Sequence, residues 1–203
     1  IDTLRLLTVA FGMYGSNSKN YGDGFTTMYG ANHEDIAYSY RTGNHGDGSW
    51  YSINGNIDYQ RTSRKNKQRM ITFSYKINTQ PQTSNSNTGY EDIHAKEEVD
   101  DLVKRLLLKN SQSDGKTNTM EQTFQVDYTT PIGELHTVEA GAKYIFRRNT
   151  SDNKLYEAAG GSDDYLYNED RSSDYRHLNH ILAAYLGYTL KYKDFTFKPG
   201  LRY

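Results

Sequence analysis

The feature that most limits what this chain can fold into is an alternation of apolar and polar residues sustained over unusual lengths. Val138, Ala140, Ala142, Tyr144 and Phe146 share one parity, against Glu139, Gly141, Lys143, Ile145 and Arg147. Successive residues of a strand point to opposite faces, so this segment has one apolar face and one mostly polar face. At about 3.3 Å per residue and a tilt of roughly 40°, the stripe is about 20–25 Å tall, close to the apolar band of a membrane barrel. The pattern recurs. Leu178, Leu182, Ala184, Leu186, Tyr188 and Leu190 share a face, with His180 as the exception. So do Tyr51, Ile53, Ile57 and Tyr59; Ile71, Phe73, Tyr75 and Ile77; Phe124, Val126 and Tyr128; Phe195, Phe197, Leu201 and Tyr203; and Leu7, Val9, Phe11 and Met13. Soluble strands usually run about five or six residues.

Connection lengths carry a second signal. Short turns are expected at 64–67, 130–133 and 191–194, with long polar loops at 79–117 and 149–175. Short turns on one side and long loops on the other characterise outer-membrane barrels. Extending the alternation backwards requires a tight turn near Asn32-His33-Glu34 and loops near 15–24 and 43–48. The fold class expected is therefore all-β: an antiparallel up-and-down transmembrane β-barrel, partial, with about nine strands and long extracellular loops. Residues 1–203 would form part of one barrel domain in a Gram-negative outer membrane. Within 79–117, Val99, Leu102, Val103, Leu106 and Leu107 fall at helical spacing and predict a short helix near 98–109. Pro199 has no ladder N–H, so it marks an edge, a bulge or a strand end.

Composition narrows the alternatives. Hydrophobic residues are 35% of 203, yet tyrosines number 19, which suits apolar surface interleaved with polar residues. The longest nearly apolar run, 181–190, is far short of the roughly 20 residues of a membrane helix. The formal net charge of −1 gives no support to nucleic acid as a partner. Cysteine is absent, which excludes disulfides and thiolate chemistry. The start at Ile1 lacks the basic and apolar regions of a signal peptide.

No enzymatic motif is present, and neither a cofactor nor a metal is expected. Gly115-Lys116-Thr117 has Asn110 where a phosphate loop requires its first glycine. His177 and His180 are three apart, which on a strand places them on opposite faces. On the polar face, Asp58, Gln60, Glu139, Lys143 and Arg147 form mixed-charge rows suited to contact with a ligand or an internal plug. In the acidic 149–175 loop, Tyr156, Asp163, Asp164, Tyr165 and Tyr167 are candidates for ligand contact, and the tyrosines serve equally as packing residues.

Several segments resemble one family. Asn56-Ile57-Asp58-Tyr59-Gln60-Arg61-Thr62, a basic turn and Ile71-Thr72-Phe73-Ser74-Tyr75 are similar to the barrel of TonB-dependent receptors of Bacteroidetes-type bacteria. So are Asp127-Tyr128-Thr129-Thr130-Pro131-Ile132, Glu139-Ala140-Gly141-Ala142-Lys143-Tyr144, Arg147-Arg148-Asn149-Thr150-Ser151-Asp152-Asn153 and Gly200-Leu201-Arg202-Tyr203. The resemblance implies a 22-stranded barrel, of which this chain is an interior piece. It implies as partners outer-membrane lipid, an N-terminal plug domain, the energy-coupling TonB complex, and a siderophore, vitamin or glycan as cargo. Two other readings stay open: a complete small barrel with a structural or adhesion role, and a soluble β-sandwich that binds carbohydrate.

Overall fold

The computed structural model describes residues 4–31 and 34–203. Nine antiparallel strands form one sheet: β1 (Arg5–Tyr29), β2 (Ile36–Thr62), β3 (Met70–Ala95), β4 (Lys109–Ile132), β5 (His136–Ala159), β6 (Leu166–Tyr167), β7 (Ser173–Tyr192), β8 (Phe195–Phe197) and β9 (Gly200–Arg202). The order is β1-β2-β3-β4-β5-β7-β8, with β6 on β5 and β9 on β7. The expected up-and-down partial barrel wall is present.

Register sorts the two faces. Leu7 lies opposite Tyr59, then in turn come Phe73, Val126, Ala142 and Ala184. The next row on that face is Val9, Ile57, Tyr75, Phe124, Tyr144 and Leu182. The stripes read in separate segments thus fuse into one apolar surface. It is bare: Leu7 is 64% exposed, Phe11 73% and Leu182 72%. Among the described residues the buried hydrophobic side chains are Val103, Leu108 and Ala158, all far from this surface. A soluble sandwich would bury these rows in a core, because large bare apolar patches drive association. The rows instead require lipid.

Several strand boundaries differ from expectation. The loops expected at 15–24 and 43–48 are interior to β1 and β2, which pair from Arg5 with Arg61 to Tyr29 with Ile36. Much of 79–117 and 149–175 is also strand, leaving connections at 96–108 and 160–172. The long strands have 20–27 residues. At about 3.3 Å per residue and a 40° tilt they rise roughly 50–70 Å, at least twice an apolar band of about 25 Å. The apolar rows sit at the short-turn end, so the remaining polar half projects beyond the membrane.

The tight turn expected near Asn32-His33-Glu34 falls largely outside the described residues. Beside it, Gly30 N–H donates to the Asp35 carbonyl at 2.7 Å. The predicted helix is a short α-helix, α1 (Asp100–Leu102), continuing into a π-helical turn over Val103–Leu107. Pro199 falls in the break between β8 and β9. Pro81, inside β3, lies where the β2–β3 ladder is interrupted between Trp50 opposite Gln82 and Ile53 opposite Thr79, consistent with its missing N–H.

Candidate ligand-facing surfaces

Two regions concentrate polar chemistry. The first is the polar face at the level of the apolar rows. Asp58, Ser74, Gln125 and Lys143 form one cross-strand row, and Asn54, Asn78, Glu121, Arg147 and Asn179 another. Between them an open groove of about 460 Å³ is lined by Asn56, Lys76, Glu121, Thr123, Gln125 and Lys143, among others. Arg147 Nε donates to Glu121 Oε2 at 2.5 Å, and Asn56 Nδ2 donates to Asp58 Oδ2 at 2.8 Å. Of the five residues singled out here, Lys143 lines this groove and Arg147 is tied to its wall. Glu139 lies elsewhere, paired with Lys198 Nζ at 3.1 Å. Gln60 lies one row below Asp58, beside Thr72.

The second region is the tip of the projecting half. Glu157 on β5 is nearly buried, its side chain 12% exposed. Its Oε2 accepts from Asn168 Nδ2 at 2.6 Å, and its Oε1 accepts from Arg171 Nη1 at 2.5 Å. Lys109 Nζ stands 3.8 Å away. The Asn168 hydrogen bond, then the charges of Lys109 and Arg171, hold this carboxyl below the usual glutamate range against the opposing effect of burial. Asn168 N–H also donates to the Leu155 carbonyl, and Leu155 N–H to Ser172 Oγ. Glu157 thereby folds the 160–172 connection onto β5.

Beside it opens a cleft of about 680 Å³, with Arg105, Lys109, Glu157, Asp164, Tyr167 and Asn168 in its lining. Asp164 and Tyr167 of the predicted loop set are brought here. Tyr156 is directed into a ring pair with Tyr167, centroids 5.5 Å apart. Asp163 is exposed and Tyr165 half-buried, and neither lines the cleft. Arg105, Lys109 and Asn168 carry no sequence signal, because they come from separate connections and strands. Asn110 joins the tip: its Oδ1 accepts from Tyr90 N–H at 2.7 Å and its Nδ2 donates to the Ser162 carbonyl at 3.0 Å.

Among the described residues no cluster of three or more His, Asp or Glu could hold a metal. His177 and His180 are on opposite faces, with His180 Nδ1 2.7 Å from the Tyr144 hydroxyl. Gly115-Lys116-Thr117 lies within β4, without the strand–helix junction a phosphate loop needs.

The model of an outer membrane protein β-barrel family matches residues 61–203, well over half of the chain. The chain belongs to that family. This places it in the outer membrane, with the apolar rows facing lipid and the polar face inward. A search of curated proteins gives no match. Among solved structures, the chain is similar to the ferric citrate transporter FecA in its unliganded form, at 12% identity and a TM-score of 0.28. The alignment covers 98% of this chain and 37% of that protein, so the chain spans well under half of its length.

Proposed function

We propose that this wall is part of a TonB-dependent receptor that imports a siderophore, vitamin or glycan. The observation that carries the reading is the inward face. At membrane depth it presents charged and amide side chains along an open groove, where a small closed barrel would fill its interior with packed side chains. Such a face suits a wide lumen holding water and an internal plug. The resemblance of several strand and turn segments to TonB-dependent receptors of Bacteroidetes-type bacteria supports the finer reading. In this reading the short turns face the periplasm and the projecting tip faces outside. Asp58, Gln60, Glu139, Lys143 and Arg147 contact plug or cargo. Asp164 and Tyr167, with Glu157 and Lys109, meet the ligand first, with Tyr156, Asp163 and Tyr165 flanking them. The plug and the remaining strands belong to the parent protein, and no catalytic step is involved.

The test is genetic. A strain lacking the full-length parent gene is grown on iron–siderophores, cobalamin or glycans as limiting nutrients. Loss of growth on one class, restored by the gene only when the energy-coupling complex is intact, is expected. Restoration without that complex would sink the import reading and favour a structural or adhesion role.

A further inference from the structure

Between the charged groove at membrane depth and Glu157 at the tip, the inward face changes character. One cross-strand row there reads Ser16, Trp50, Gln82, Thr117, Ser151 and Tyr175. The next row toward the tip reads Ser18, Gly48, Ser84, Gly115, Asn153 and Ser173. Beyond it come Asn20, Gly46, Ser86, Ser113 and Leu155. These rows offer hydroxyls, amides, glycines and aromatic rings, and they hold no acidic residue, lysine or arginine. The charges at this level lie on the outward face, with Lys19 opposite Asp47 and Lys116 opposite Asp152. The chain's single tryptophan, Trp50, is thus set among neutral polar side chains.

The membrane does not account for Trp50. Interfacial aromatic girdles face lipid, and on β2 that place falls to the adjacent Tyr51, on the opposite face. Trp50 shares its parity with Asn54, Asn56 and Asp58, faces inward and is 45% exposed. Tyr14 meets it nearly at right angles, with ring centroids 5.7 Å apart. Toward the tip, Gly48 and Gly46 open a trench of about 220 Å³, flanked by Ser18 and Asn20 on β1 and by Ser84 and Ser86 on β3. The trench needs glycine in its floor: a Cβ on Gly48 would stand 2.9 Å from the Thr83 carbonyl oxygen. From Trp50 to Gly46 it runs about 13 Å along the strand. A sugar ring has an apolar C–H face and a rim of hydroxyls. An indole covers the first with its apolar body. Serine hydroxyls and side-chain amides, which both donate and accept, meet the second. An anionic cargo would instead call for guanidinium or ammonium donors, and these rows have none.

We propose that Trp50 and the Gly46–Gly48 trench form a binding site in the inner wall for a neutral oligosaccharide. Trp50 is the stacking platform, and Ser18, Asn20, Gln82 and Ser84 are the hydrogen-bonding rim. As a cargo site it rests on the import reading, and it narrows that reading to the glycan class.

The test is titration calorimetry on the intact protein in detergent, with maltoheptaose, cellohexaose and mannohexaose as neutral probes and hexagalacturonate as an anionic one. Folding is checked by resistance to unfolding in SDS without heating. At least one neutral probe should bind, and more tightly than hexagalacturonate. Trp50→Ala should weaken that binding by about tenfold or more, the order expected for losing a tryptophan anchor. Trp50→Phe keeps a ring and should bind at intermediate strength, which keeps the test valid if Trp50→Ala misfolds. Tyr21→Ala removes an exposed aromatic ring from the outward face above the membrane and should leave binding unchanged. Equal binding by the native protein and both Trp50 variants would overturn the proposal, as would tighter binding of hexagalacturonate or no binding of any neutral probe. Calorimetry needs no energy-coupling complex. A negative result there leaves import of another cargo standing, whereas growth that ignores the complex removes import and leaves the binding site intact.

Discussion

The ring of Tyr185 lies across Gly141 on the neighbouring strand: a Cβ built on Gly141 would stand 2.3 Å from Tyr185 Cε1. The ring cannot swing aside freely, because its hydroxyl donates to Asp127 Oδ1 at 2.5 Å. Gly141→Ala should therefore destabilise the wall by about 1–3 kcal/mol, the usual cost of overpacking. Denaturant unfolding in lipid vesicles measures it. Combining Gly141→Ala with Tyr185→Ala should cost less than the two single changes added together. Additive costs would show that the ring does not cover the glycine.

Gly141 faces inward and its neighbour Ala142 outward, and that contact restricts the inward position as well. Both positions are restricted, for different reasons. Ala142 lies between Val126 and Ala184 in the apolar rows. An arginine there should cost about 2–4 kcal/mol in lipid. Asn78, exposed on the inward face beside Glu121, is the proper comparison. Asn78→Arg should change stability by about 0.5 kcal/mol or less. Equal costs at the two positions would reverse or abolish the assignment of faces.

The Glu157 clamp should respond to acid in a definite direction. Its carboxyl is held below the usual value. The stability it contributes is fully present above the unfolded glutamate pKa of about 4.3 and is lost as pH falls through the lower folded value. Amide-exchange protection at Leu155 and Asn168, corrected for intrinsic rates, should hold down to about pH 5 and fall in stronger acid. Glu157→Gln should lower that protection at neutral pH. Protection that ignores both acid and substitution would show that the loop is held by other contacts.

The tip should open independently of the wall. Gly160 N–H donates to the Lys104 carbonyl, and a Cβ at Gly160 would stand 2.6 Å from the Leu108 carbonyl oxygen. Val103, Leu108 and Ala158 form the small core beneath. Gly160→Ala should expose 96–108 to protease while leaving the barrel's unfolding temperature in detergent unchanged. A fall in that temperature would mean that tip and wall unfold together.

The part of the fold readable in the sequence is the part where one face meets lipid. Leu7 to Met13 and Val138 to Phe146 announce themselves because a wrong register would place apolar side chains in water. Above the membrane both faces meet water, and that constraint disappears. Gly15-Ser16-Asn17-Ser18-Lys19-Asn20 has the composition of a loop, yet it is strand because β2 supplies its ladder from Tyr51 to Gly46. Pairing with a neighbour overrode local preference there. The inward row through Asp58 and Lys143 followed from parity alone. The tip cleft did not, because Lys109, Glu157 and Asn168 are joined by the pairing of β4 with β5 and the return of the 160–172 connection.

The central claim is a lipid-embedded wall with its short turns and its tip on opposite sides of the outer membrane. It is tested most directly by single cysteines introduced into this sequence, which has none of its own. Ser162→Cys at the tip and Asn66→Cys in a short turn are treated with a membrane-impermeant maleimide. In intact cells Ser162→Cys should label and Asn66→Cys should not, while both should label once the outer membrane is permeabilised. Labelling of both in intact cells, or of Asn66→Cys alone, would contradict the account.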